Sequence, residues 1–161
     1  MKLQLQIFEI LNNSDLVIKN INYDDIDKLL EYEKYFDKQL RTSRSGFEYL
    51  IKNFSNWFLK AELDNIYVGH ISANLDDSGN SAYINTLVVD KKYQNQGIGS
   101  KLLKHLINIL ILDKIQKITL CVNNNDNAYK LYLKHDFIDT KLKSKYGSSI
   151  LILNLSENKK L

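Results

Sequence analysis

Residues 93–103 read YQNQGIGSKLL, two glycines one residue apart at the start of an apolar helical pattern and directly after the β-branched run INTLVVD. Glycine at such a point leaves bare main-chain N–H groups at a helix N-terminus, where they can wrap an anionic phosphate closely. A triphosphate-binding loop would need G-x-x-x-x-G-K-[S/T], but Gly99 is followed by Ser100 and Lys101 with no earlier glycine at that spacing. A dinucleotide fingerprint would need a third glycine where Leu102 stands. A packing turn between strand and helix remains the bland alternative to a phosphate cradle. Elsewhere, Cys121 is flanked by Leu120 and Val122 with no adjacent His or Asp, so it reads as a buried, inert thiol before it reads as a nucleophile. His70, His105 and His135 have no metal-ligand spacing, and no metal is expected.

The elements that must position these residues alternate between strand and helix signals. Residues 15–21 (DLVIKNI) suit a strand, and 23–36 place Ile26, Leu29 and Leu30 at helical spacing behind acidic first-turn residues that favour a helix N-terminus. A shorter helix over 45–54 precedes two strands, 57–63 and 66–75, joined by the turn residues Asp64 and Asn65. The turn DDSGN leads into the strand 81–90, which feeds the glycines. From Gly97 to Leu112 the positions Ile98, Leu102, Leu103, Leu106, Ile109 and Leu110 form one apolar stripe of an amphipathic helix. A strand at 117–122, a helix at 124–135 and two terminal strands joined through SKYG complete a mixed α/β, or α+β, order.

A chain of 161 residues suits a single domain with its own core. The balance of 22 basic against 19 acidic side chains, evenly interspersed, argues for neither a nucleic-acid nor a membrane partner. With one cysteine there is no internal disulfide, which points to a reducing, cytoplasmic setting. The N-terminal MKLQLQIFEI alternates polar and apolar residues and lacks the apolar core of a signal peptide.

The stretch LVVDKKYQNQGIGSKLL resembles the Q/R-x-x-G-x-G/A signature of the GNAT superfamily of acyl-CoA-dependent N-acetyltransferases. A second stretch, VNNNDNAYKLYLKHDF at 122–137, is similar to the family's downstream pattern, matched by Asn125, Ala128, Leu131, Tyr132 and Phe137. The resemblance spans about residues 15 to 155 and leaves residues 1–14 as an N-terminal extension or an extra strand. Lys91 stands where a proline is common, and Asp136 where a glycine usually precedes the Phe.

The resemblance implies a mostly antiparallel central sheet flanked by about four helices, with the strand before the glycine loop splayed from its neighbour. It implies acetyl-CoA as cosubstrate. Main-chain groups of Leu87, Val88 and Val89 would pair with the pantetheine arm, and amides across Gln94, Asn95, Gln96, Gly97, Ile98, Gly99 and Ser100 would hold the diphosphate. Lys91, Lys92, Lys101 and Lys104 are either aids to the outer phosphate or solvated surface. Asn125 would cap its helix and touch the cofactor. Tyr132 would be the acid that protonates the departing thiolate, since a phenol of pKa about 10 stays protonated at neutral pH.

The base is open. The strand before the loop offers Tyr83, Asn85 and Thr86 and no carboxylate, so Tyr83 and Asn85 are candidates for orienting a water or the amine, and a water chain could end at Glu62, Asp76 or bulk solvent. By resemblance the acceptor enters against 23–50 and 141–149. A small-molecule primary amine is favoured, a peptide amino group is the alternative, and a catalytically silent acyl-CoA-binding domain is a third reading. Homodimers are frequent among relatives, and oligomeric state stays open.

Overall fold

The protein, described by a computed structural model, is traced over residues 16–38 and 41–155. The expected extension at 1–14 lies outside the described residues.

Among the described residues seven strands form one sheet in the order β1-β2-β3-β4-β5-β7-β6. β1 (Leu16–Asn20), β2 (Phe58–Leu63) and β3 (Ile66–Leu75) run antiparallel, followed by β4 (Ser81–Val89). The β2–β3 turn is made by Asp64 and Asn65 with φ of 51° and 64°, the two left-handed positions that match the twist of a tight hairpin. β5 (Lys117–Val122) lies parallel to β4, and β7 (Ser149–Asn154) inserts antiparallel between β5 and the outer β6 (Ile138–Lys143). All pairings except β4–β5 are antiparallel.

Among the described residues four α-helices flank the sheet: α1 (Ile26–Tyr32), α2 (Arg44–Phe54), α3 (Ile98–Leu112) and α4 (Asn127–Lys134). A capping box between Asn22 and Asp25 starts a 3-10 turn that leads into α1, and Ser43 caps α2 by accepting from the Gly46 N–H. α1 and α2 cover one face through Ile26, Leu29, Phe47, Leu50 and Ile51 against Ile21 and Phe58. The larger core lies on the other face, where Leu102, Leu103, Leu106 and Leu110 of α3 are fully buried. Burying each such side chain contributes about 1.5–3 kcal/mol. That stripe is what fixes α3 on the sheet and hence aims its N-terminus. Among the described residues no helix is long and apolar enough to cross a membrane.

Two irregularities matter for function. β4 and β5 pair only at Ser81–Tyr83 with Lys117–Thr119, after which β4 continues along β3 and β5 along β7, so the sheet opens between them. In β4, Ile84 pairs with Ala73 and Thr86 with Ser72, which leaves Asn85 as the extra residue of a bulge.

Candidate active site

The opening between β4 and β5 widens into a cleft of about 710 Å³. Its floor is Tyr83 to Leu87 on one strand and Leu120 to Asn123 on the other, with Tyr132 of α4 behind. Tyr35, Phe36, Asp37 and Thr42, from the connection after α1, form one rim, and Ser144, Lys145, Tyr146 and Ser148 of the β6–β7 hairpin form the other. Four of the residues singled out in the sequence, Tyr83, Asn85, Leu87 and Tyr132, therefore meet in one place.

Tyr132 is only 4% exposed, packed edge-on against Phe137. Burial and then the neighbouring Tyr83 push its hydroxyl above the ordinary phenol value, so it carries its proton at neutral pH. Tyr83 is likewise raised, by burial and then by Cys121. Cys121 corrects the sequence expectation. It is exposed, because strand alternation sends Leu120 and Val122 into the core and turns Cys121 to the cleft.

The glycine loop lies beyond the end of β4 and does not line this cleft. Asp90 caps a short 3-10 turn by accepting from the Lys92 N–H, Asn95 takes φ 61° and Gly97 φ 79°, and α3 starts at Ile98. Gly97 is the N-cap residue, and no side chain caps the helix there. The first-turn donors at Ile98, Gly99 and Ser100 thus have no side-chain acceptor, which is the state an anion would complete. The two glycines differ. A Cβ at Gly97 would meet nothing within 4 Å, so the backbone angle requires the glycine, whereas Gly99 has an ordinary helical angle and a Cβ there would make ordinary contacts with Leu131 at 3.4 Å and Val89 at 3.7 Å. Ile98 is buried and anchors the turn, while Gln94, Asn95 and Gln96 are exposed.

Several side chains in this region are already engaged. Gln94 Nε2 donates to the Val89 carbonyl at 3.0 Å, so that acceptor is occupied, and Val88 is a buried strand residue opposite His70. The Ser100 hydroxyl lies 2.6 Å from His135 Nε2. Both line a second cavity of about 450 Å³ with Lys104 and Lys134. Asn125 departs from expectation: α4 begins two residues later with Asp126 as N-cap, and Asn125 is exposed and outside the cleft lining. A run of three Asn and an Asp offers several N-cap candidates, and helix packing chose among them.

Neither of the two carboxylates at which a water chain could end, Glu62 and Asp76, lines the cleft. Glu62 is ion-paired to Lys19 at 2.6 Å and to Lys60 at 3.0 Å, and those lysines hold it below the usual carboxylate range. Asp76 is held low by the Ser78 hydroxyl and backbone. Among the described residues the carboxylates that do line the cleft are Asp37 and Asp126, which sequence reasoning missed because nothing in their spacing sets them apart. No group of three or more His, Cys, Asp and Glu among the described residues could hold a metal ion.

The model of the acetyltransferase (GNAT) family matches residues 23–137, and the chain belongs to that family. A search of curated proteins finds no match. Among solved structures, the Arabidopsis thaliana Naa50 bound to the bisubstrate analogue CoA-Ac-MVNAL superposes with a TM-score of 0.72 at 23% identity, covering 86% of this chain and 98% of that one. The PaiA N-acetyltransferase of Thermoplasma acidophilum in complex with coenzyme A reaches 0.67 at 17% identity, covering 87% and 99%. The N-acetylglutamate synthase of Neisseria gonorrhoeae, complexed with coenzyme A and N-acetyl-glutamate, reaches 0.72 at 21% identity, covering 89% of this chain and 36% of that one. These likenesses establish the fold.

Proposed function

We propose that this protein transfers an acetyl group from acetyl-CoA directly to a primary amine, with a small-molecule acceptor favoured. The observation that carries the reading is the parting of β4 from β5 beyond Tyr83, where Tyr132 lines the cleft, on the same strand that leads to the uncapped N-terminus of α3. The free amides of the first helical turn, Ile98 to Ser100, hold the diphosphate, and the edge from Leu87 onward offers main-chain groups to the pantetheine amides. The thioester then lies beside Tyr132.

Attack by a neutral amine makes a tetrahedral oxyanion, which a main-chain N–H on bulged β4 near Val88 can stabilise. The departing thiolate takes its proton from the Tyr132 hydroxyl, which burial keeps protonated. Asn85, projecting from the bulge, and Tyr83 orient the amine. The ammonium sheds its proton through the cleft mouth, where Asp37 and Asp126 are the carboxylates in reach of water.

One observation favours a peptide amino group as the second reading. Tyr35 and Tyr146, on opposite rims, are 50% and 56% exposed, as suits two aromatic surfaces along an extended chain. Neighbours of this fold include one bound to a peptide-bearing analogue and one bound to an acetylated amino acid. Incubation with acetyl-CoA and a panel of amines and N-terminal peptides, read as released thiol, decides between them. Release that exceeds the acceptor-free rate for an amine supports the enzyme, and identical rates across the panel leave only a binding domain.

A further inference from the structure

Cys121 is the chain's single cysteine, and it faces the cleft from β5 on the side toward the two rims. Tyr83, the last residue of β4 paired with β5, and Tyr132 of α4 line the same cleft. A second observation points to a ligand here. Tyr132 is 4% exposed and lines the cleft, and its hydroxyl has no hydrogen-bond partner among the described residues. The hydroxyl is not one of the fully buried atoms left without a partner, so it opens to the cleft, where an acceptor that enters can pair with it. On the acetyl-CoA reading above, that acceptor is the thioester sulfur, which brings the acyl carbon into the space Tyr132, Tyr83 and Cys121 share.

We propose that Cys121 is a second acyl acceptor, which takes the acetyl group from bound acetyl-CoA when no amine occupies the cleft. The step is a thioester exchange that needs no oxidant. The bond from Cys121 Sγ to the acyl carbon forms, the bond from that carbon to the coenzyme sulfur breaks, and the proton of the Cys121 thiol ends on the released coenzyme A. Proximity drives it, since a thiol held against a bound thioester gains a large effective concentration without an activating histidine. S-acetyl-Cys121 then fills the acceptor side of the cleft, between Tyr83 and Asn123, and competes with the amine for the same acyl group.

The full chain is incubated with acetyl-CoA and no amine, and its intact mass and peptides are followed by mass spectrometry. The expected result is one acetyl group on Cys121, released by hydroxylamine, absent from Cys121→Ala and suppressed by excess desulfo-coenzyme A. Labelling should run on the order of a hundredfold faster than with the small thioester S-acetyl-N-acetylcysteamine at equal concentration. Equal rates from the two thioesters overturn the proposal, as does an unlabelled Cys121 in protein that binds coenzyme A calorimetrically; both leave the N-acetyltransferase reading standing. Absence of any coenzyme A binding overturns both.

Discussion

At the residue scale the chemistry rests on groups whose surroundings, more than their identity, set their behaviour. Tyr132 is a phenol like nine others in the chain, yet burial behind the opened strands holds its proton in place, and the proposed reading makes it the acid at the thioester. Tyr132→Phe is expected to lower turnover by about 10²-fold or more while calorimetric affinity for coenzyme A is kept; an unchanged rate removes the acid role. Gly97 is constrained by its backbone and not by neighbours, so Gly97→Ala should cost about 1–2 kcal/mol in urea unfolding and weaken coenzyme A binding as the amides turn away. The two glycines stood out by their spacing at the start of a helix, whereas Tyr132 stood out only by its place in the family-like stretch 122–137, since its spacing alone reads as a packing aromatic. Asp37, Asp126 and the turn of Cys121 toward the cleft were not legible, since each depends on which strand edge or rim lies opposite.

At the scale of elements the decisive feature is the parting of β4 from β5, and its supports are spread through the fold. Gly69 on β3 pairs with Val89, and a Cβ there would come within 2.5 Å of the Val88 carbonyl and 3.0 Å of the Val89 Cα. Gly69→Ala should therefore push β4 out of register with its partner. The expected cost is about 1–3 kcal/mol in thermal unfolding, together with weakened coenzyme A binding. The helix that carries the amides is held from below. Leu106→Ala, at a fully buried position of α3, should cost about 2–5 kcal/mol, measured the same way. Element boundaries were readable from periodicity to within a residue or two for most strands. The start of α4 was not, because five successive polar residues, 123–127, carry no apolar period.

Over the whole molecule the two sheet faces differ in how they treat polar groups. His70 is fully buried between β3 and the α1–α2 layer, with Nδ1 2.9 Å from the Tyr67 hydroxyl and Nε2 unpartnered. Burial pushes it down from its ordinary value of 6.5 to about 3. The unfolded chain accepts that proton near pH 6.5 and the folded chain refuses it, so the stability involved is complete above pH 6.5 and drains as the pH falls toward 3. At pH 4.5 the loss amounts to about 3 kcal/mol. Glu33, raised by burial, works in the opposite direction. Comparing denaturant unfolding of the protein and of His70→Phe at pH 7 and pH 4.5 isolates the histidine: the variant should lose about 3 kcal/mol less over that interval. Equal losses would show that His70 is protonated in the folded state.

Local chemistry written in order along the chain was enough to determine the strands, most of the helices, the αL hairpin turn and the glycine turn at the start of α3, because each rests on neighbours a few residues away. Which β-strand lies beside which was decided only by tertiary structure. β7 slots between β5 and β6, β4 follows β3 past Tyr83, and the space they vacate brings Tyr132, Asn85 and Cys121 together from three separate elements. A cleft is a gap between strands far apart in sequence, and no periodicity records the distance across it.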